Sequence, residues 1–231
     1  MARLYLFAEG QTEQTFADIV LRPHLADRGV YLTNIILIAK ARKKGKVHRG
    51  GGRAYQPMRD DIERMMRSDN SADVYFTTMI DLYAIPAEFP GRAEAEKLRS
   101  TPEKRVEALE QAFAEDMDDT RFIPYLQLHE YEAILFAEPA KFRILYPQHE
   151  AAIAKIEAIA DTFATPEAIN DGPETAPSKR LIAALPAYNG AKPIAGPLIA
   201  EAIGLATIRA RCPHFHTWLS HLENLGATVS P

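Results

Sequence analysis

Three short runs of β-branched, aliphatic and aromatic residues alternate with helix-patterned segments, and that alternation constrains the fold more than any other feature. The runs are "RLYLFA" (3–8), "VYLTNIILIAK" (30–40) and "DVYFTTMIDLY" (73–83). Each is short enough for a strand: the first reads as a buried strand, the second, β-branched and apolar, as a strand, and the third as a strand buried on both faces until it reaches Asp81. Between the first two, "TEQTFADIVLRPHLADRG" places Phe16, Ile19, Val20 and Leu25 near helical spacing, with Pro23 expected to kink or divide the helix. "QPMRDDIERMMRS" (56–68) predicts a helix with Pro57 near its first turn and Ile62, Met65 and Met66 facing inward. A further helix is signalled by Thr101, Pro102 and Glu103 at the head of "TPEKRVEALEQAFAEDM" (101–117). "RFIPYLQLH" (121–129) reads as a fourth strand, demoted to an edge or broken early by Pro124, and 130–139 reads as a helix. Parallel strands need crossover helices, so this order predicts an α/β fold: a mostly parallel sheet of about four strands flanked by helices. After residue 140 strand signals vanish. The expected division is therefore an α/β domain over 1–139 and a helical C-terminal appendage over 140–231 packed on it.

Composition bounds the setting. The chain has 231 residues, one cysteine and a formal net charge of −4, so global basicity does not advertise nucleic acid, although a local patch can still act. A lone Cys212 forms no intrachain disulfide, which suits a reducing compartment. No run approaches the length needed to cross a bilayer, and the first apolar run lacks a cleavage-site pattern. A cytoplasmic protein without a membrane partner is expected.

The strand ends carry the chemistry. In an open parallel sheet, ligands bind beyond the carboxyl ends of the strands, and all those ends point the same way. The first strand runs into Glu9, Gly10 and then Glu13; the third ends at Asp81; the fourth runs out into His129, Glu130 and Glu132. Singly, each has a plain structural explanation: Glu13 suits a helix N-terminus, and Asp81 suits a turn. Together they bring several carboxylates to one spot, where mutual repulsion calls for a cation. Hard oxygen donors of this kind suit Mg²⁺ or Mn²⁺, which can polarise a phosphoryl oxygen and acidify a bound water. Gly10 is expected to permit a tight turn beside that site.

The ordered combination of "EGQTE", "MIDLYAIPAEFPG" and "LQLHEYEAILF" resembles domain-of-unknown-function family 4276, a divergent branch of the Toprim-like superfamily. The resemblance extends through "APSKRL" and "IRARCPHFHTWLSHLE", and so over most of the chain. It implies a Toprim-like fold and relationship to nucleases of the overcoming-lysogenization-defect type. Toprim domains set a glutamate after the first strand and an Asp-x-Asp pair after the third around Mg²⁺. Glu9 matches the glutamate and Asp81 the first aspartate, while Tyr83 stands where the second aspartate would be. The resemblance then implies metal ligation by Glu9, Asp81 and one of Glu130 or Glu132. Glu13 would bind a second ion or orient the attacking water. Lys179, with Lys192 in reserve, would stabilise charge developing on the phosphate; Tyr83 would hydrogen-bond a metal-bound water, and His129 would move a proton or orient Glu130. A metal-dependent nuclease is implied, working with a separate ABC-type ATPase in antiphage defence. The alternative is a non-catalytic adaptor that keeps the fold and binds nucleic acid or the ATPase. Dimerisation is left open.

"KARKKGKVHRGGGR" (40–53) carries Lys40, Arg42, Lys43, Lys44, Lys46, Arg49 and Arg53 with no acid among them. Such a loop suits sequence-independent phosphate contacts, with DNA expected over RNA; a merely solvated loop explains it equally. Cys212, His214, His216 and His221 suggest zinc only weakly, because a lone cysteine breaks the paired-ligand pattern. No Walker loop, G-x-G-x-x-G or G-x-S-x-G elbow is present, so no organic cofactor is expected.

Overall fold

The computed structural model describes residues 1–38, 42–43, 46–47, 54–170, 172 and 174–227. β1 (Ala2–Ala8) alternates Leu4, Leu6 and Ala8 on one face with Tyr5 and Phe7 on the other, so both faces are apolar and the strand is central. A helical stretch follows as α1 (Gln11–Phe16), a π turn (Ala17–Leu21) and α2 (Arg22–Ala26). The expected break at Pro23 takes a specific form. The chain stays helical, and the widened turn sits just before the proline, whose missing N–H removes one i→i−4 bond. β2 (Val30–Leu37) then pairs with β1 in parallel. β3 (Arg42–Lys43) and β4 (Lys46–Val47) form a separate antiparallel ribbon. This accounts for the backbone of Arg42, Lys43 and Lys46 in the basic segment. Lys40, Lys44, Arg49 and Arg53 lie outside the described residues.

α3 (Tyr55–Ser68) leads to β5 (Val74–Asp81), which pairs in parallel with the other side of β1. α4 (Arg92–Ala95) and α5 (Pro102–Met117) lead to β6 (Phe122–Ile123) and β7 (Leu126–Gln127), both parallel to β5. The sheet order is β2-β1-β5-β6, with β7 also on β5. The fourth strand is thus broken at Pro124, which has no N–H for the ladder. Threonine hydroxyls bridge the gap: Thr77 Oγ1 donates to the Ile123 carbonyl at 2.6 Å, and the Tyr125 N–H donates to Thr78 Oγ1 at 2.8 Å.

The segment after β7 departs from expectation. Residues Tyr131–Ala137 form a 3-10 stretch, not a regular helix, and all seven are buried. A segment with no solvated face cannot sit as an amphipathic surface helix. The chain then continues through α6 (Glu150–Ala160), α7 (Pro177–Ala184), α8 (Lys192–Ile203), α9 (Leu205–Arg211) and α10 (Pro213–Asn224). Two apolar layers result. One sheet face packs Leu4, Leu6 and Met79 against Phe16, Ile134 and the C-terminal residues Ile199, Phe215 and Trp218. The other packs Tyr5, Phe7 and Phe76 against Ile62 of α3 and Leu109 and Phe113 of α5. Among the described residues no single helix is long and apolar enough to cross a membrane.

Candidate functional site

β1 connects to β2 on one side and β5 connects to β6 on the other, so the connections diverge between these two neighbouring strands. That is a topological switch point, where a crevice opens at the carboxyl ends. Glu9 follows β1 and Asp81 ends β5, side by side. The Glu9 N–H donates to the Met79 carbonyl at 3.0 Å, and the Asp81 N–H donates to Glu9 Oε2 at 2.8 Å. The Tyr131 N–H in turn donates to Asp81 Oδ1 at 2.8 Å, tying the segment after β7 to the same place. A cavity of about 720 Å³ lies here, and Glu9, Glu13, Asp81, Glu130 and Glu132 all line it.

The charge on these walls is unbalanced. Among the described residues six carboxylates, the five just named and Asp61, face the cavity together with two cations, Lys192 and Arg64. Lys192 Nζ lies 3.0 Å from Glu132 Oε1, and Arg64 pairs with Asp61 at 2.8 Å. Burial, followed by the charges of Glu9 and Glu132, pushes the Glu13 carboxyl up to about 8. Burial and then the charges of Glu9, Glu13, Glu132 and Glu130 raise Asp81 well above the carboxylate range. Glu132 is raised by burial despite the opposing charge of Lys192. A site that favours protons on its carboxyls favours any cation that can replace them.

The sequence candidates divide. Glu9, Gly10, Glu13, Asp81, Glu130 and Glu132 come together. Glu130, however, accepts from the Ser178 N–H at 2.8 Å with one oxygen and from Ser178 Oγ at 3.1 Å with the other, so it clamps the first turn of α7. Lys179, on that same helix, is exposed and does not line the cavity; Lys192, the reserve lysine, does. Tyr83 is 51% exposed and lies outside the lining, its N–H donating to the His129 carbonyl at 3.0 Å. His129 is buried with φ +64° and is likewise outside the lining. A non-glycine residue held in the left-handed region costs about 1–2 kcal/mol, and here it turns the chain immediately before Glu130.

Gly10 is present for a different reason than the expected turn. Its φ of −151° is open to any residue, but a Cβ there would stand 3.2 Å from Glu13 Oε2. The missing side chain makes room for a buried carboxylate. Gly196 plays the corresponding part on α8, where a Cβ would meet Tyr188 Oη at 2.9 Å, the Tyr131 ring at 3.1 Å and Thr12 at 3.4 Å. It lets the helix bearing Lys192 approach the start of α1. In Gly196→Ala the helix-propensity gain of about 1 kcal/mol opposes an overpacking penalty of about 1–3 kcal/mol. The expected net result is destabilisation by up to about 2 kcal/mol, read as a lower urea midpoint; a raised midpoint would show that the contact yields.

Mg²⁺ or Mn²⁺ can be tested against this donor set. Hard carboxylate oxygens in excess over nearby cations fit such an ion by chemistry and charge. They are not already gathered as a cage: among the described residues no group of three or more His, Cys, Asp or Glu side chains is placed to hold a metal ion. Ser178 and Gly196 escaped sequence reasoning as members of the site, and Lys192 stood there only in reserve, because only tertiary packing brings 178–196 over the sheet.

The topology and the cavity together define a parallel-sheet α/β protein with a carboxylate-lined cleft at its switch point. The chain belongs to the family described as Domain of unknown function (DUF4276), whose model matches residues 8–223. In three dimensions it is similar to the C-terminal region of the Burkholderia pseudomallei OLD protein, with a TM-score of 0.45 and 14% identity, covering 98% of this chain and 99% of that one. It is also similar to the C-terminal region of the Xanthomonas campestris pv. campestris OLD protein, with a TM-score of 0.44 and 10% identity, covering 99% of this chain and 98% of that one. No curated protein matches it in sequence.

Proposed function

We propose that the chain is a Mg²⁺- or Mn²⁺-dependent nuclease or related phosphodiester-cleaving enzyme. The observation that carries this reading is the set of carboxylates lining one cavity at the switch point, which among the described residues outnumber the cations there six to two and of which Glu13, Glu130 and Glu132 are buried. Glu9, Asp81, Glu13 and Glu132 would hold the ion, which when bound would polarise a phosphoryl oxygen and lower the pKa of a coordinated water. Glu9 is oriented by the Asp81 N–H, and Asp81 by the Tyr131 N–H, so neither is free to turn away from the cleft. Lys192 is the cation positioned to meet a phosphate oxygen, with Glu132 holding its ammonium at the cavity wall. Glu130 fixes α7 through Ser178, and its contribution is to positioning. The likeness of "EGQTE" and "MIDLYAIPAEFPG" to Toprim-like sequences supports the same chemistry. DNA as substrate, an ABC-type ATPase as partner, a role in antiphage defence and a cytoplasmic location are parts of the proposal drawn from that likeness and the composition.

The second reading, a non-catalytic adaptor, is favoured by one specific arrangement. Glu130 is occupied by Ser178, Glu132 is paired with Lys192, and Tyr83 stands exposed where a second aspartate would be. Cleavage of plasmid, single-stranded DNA and RNA should be compared for wild type, Glu9→Ala and Asp81→Ala, with Mg²⁺, Mn²⁺ or chelator, alongside a Mn²⁺ titration by calorimetry. The enzyme reading expects metal-dependent cleavage that falls at least about a hundredfold in either folded variant, a loss of about 3 kcal/mol of transition-state stabilisation. A folded wild type that neither cleaves nor binds Mn²⁺ would overturn the enzyme reading in favour of the adaptor.

A further inference from the structure

The carboxylates occupy only part of the cavity. Across from them it is walled by Ile36, Leu37 and Ile38, at the end of edge strand β2, and by Met65 of α3. Ile36, Ile38 and Met65 are only half-buried, packed against the second apolar layer from one side, and Leu37 is 37% exposed. Among the described residues β2 is the last strand of the sheet, and no further strand covers it. Arg64, which lines this side, is engaged with Asp61. A cleft of about 720 Å³ therefore offers an acidic, cation-seeking half and, among the described residues, an apolar half whose charges are the paired Arg64 and Asp61. That volume is in the range that takes a whole small organic ligand and exceeds what a hydrated ion and a phosphate need.

We infer that the site takes an unpaired nucleotide, with its phosphate at the carboxylate half and the face of its base against Ile36, Leu37, Ile38 and Met65. This rests on the phosphodiesterase reading for the phosphate half; the wall adds the substrate class. A base within a duplex has both faces stacked and its edge paired, so it has no face to offer a wall. An extruded or terminal base does. Aliphatic contact with a base face is tolerant of sequence, since every base presents a flat apolar face and the wall supplies no hydrogen-bond pattern to read the edge. The occupant is either a free nucleotide or one unit of a single strand, which share this chemistry.

The test is calorimetric binding of dAMP, deoxyribose 5-phosphate, a short single-stranded oligonucleotide and its duplex, each with Mn²⁺ and with chelator. Wild type is compared with Leu37→Ser, Met65→Ala and Leu37→Met. The inference expects dAMP to bind roughly tenfold or more tighter than deoxyribose 5-phosphate. It also expects Leu37→Ser and Met65→Ala to reduce dAMP affinity by roughly tenfold without changing that of Mn²⁺ or the sugar phosphate. Leu37→Met should restore binding, which separates lost contact from lost fold. Preference for dAMP over the oligonucleotide identifies a free nucleotide; the reverse, with the duplex weaker still, identifies a strand. Equal binding of dAMP and deoxyribose 5-phosphate, or duplex binding as tight as single strand and indifferent to Leu37→Ser, overturns the inference. Failure of wild type to bind Mn²⁺ would remove the metal reading alone, because deoxyadenosine, which has no phosphate for the carboxylates to repel, still judges the wall in chelator by its weaker binding to Leu37→Ser.

Discussion

Glu13→Gln is expected to stabilise the metal-free protein at neutral pH by up to about 3 kcal/mol, an unusual sign for a change in a buried site. Burial, with the charges of Glu9 and Glu132, lifts the Glu13 carboxyl from its ordinary 4.5 to about 8. Between those two values the unfolded chain releases a proton that the folded chain keeps. Stability therefore falls as pH rises from about 4.5 to about 8, and the full penalty is present above that. Each unit of difference is about 1.4 kcal/mol, so by pH 7 the penalty approaches 3 kcal/mol. Glutamine keeps the shape and cannot ionise, so the gap between variant and wild type should open with rising pH and close near pH 4.5. Urea unfolding from pH 4.5 to 8.5 measures it. Mn²⁺ should reverse the ranking once it reaches about a thousand times its Kd: an ion bound only by the folded wild type then adds about 4.1 kcal/mol, more than the penalty of about 3 kcal/mol, and the variant, short of a ligand, gains little. Parallel pH profiles for the two proteins would mean that the carboxylates do not burden one another as their burial implies.

The parts of this site that were legible in sequence are those carried by local pattern. Apolar strands ending in Glu9 and Asp81 are visible because a buried strand tolerates a carboxylate only where it leaves the sheet. Parallel pairing then forces those ends to one edge. The break at Pro124 was legible for a similar reason, since a missing N–H has the same consequence in any sheet. What was not legible depends on approach between distant segments. Nothing local distinguishes Lys179 from Lys192; α7 turns the first to solvent, and the close seat of α8 on Gly196 brings the second to Glu132. Glu130 and Glu132 were equally good ligands by spacing, and Ser178, on a helix whose place the sequence does not fix, is what occupies Glu130. At Gly10 local pattern suggests backbone freedom, whereas the structure shows the constraint to be the space that the Glu13 carboxylate needs.

Trp218→Ala is expected to remove about 3–5 kcal/mol of stability, and this single change tests whether the C-terminal helices belong to the body that carries the cleft. Trp218, the chain's one tryptophan, is 5% exposed on α10. Its ring stacks on Tyr125 at 4.2 Å and 15°, and His214 stacks near-parallel to Tyr125 at 5.1 Å. Its indole N–H donates to Thr77 Oγ1 at 2.9 Å, on β5. The start of α10 is held as well, because Glu167 accepts the N–H groups of His214 and Phe215 at 3.0 and 2.9 Å. Truncation would open a large cavity beside Pro124, where the ladder is already interrupted and Thr77 is already bridging to Ile123. In a protein of this length the loss corresponds to a fall in Tm of about 6–20 °C by circular dichroism. Trp218→Phe keeps most of the stacking area and forfeits the hydrogen bond. Thr77 Oγ1 still has Ile123 as acceptor, so that variant should lose only about 1–2 kcal/mol. The consequence reaches the cleft, since β5 is the strand that ends on Asp81. If helix and strand act as one body, Trp218→Ala should weaken Mn²⁺ binding at temperatures where the variant is still folded, while Trp218→Phe should leave it near wild type. A folded Trp218→Ala protein with undiminished stability would instead mean that the sheet and its carboxylates stand without the helices that cover them.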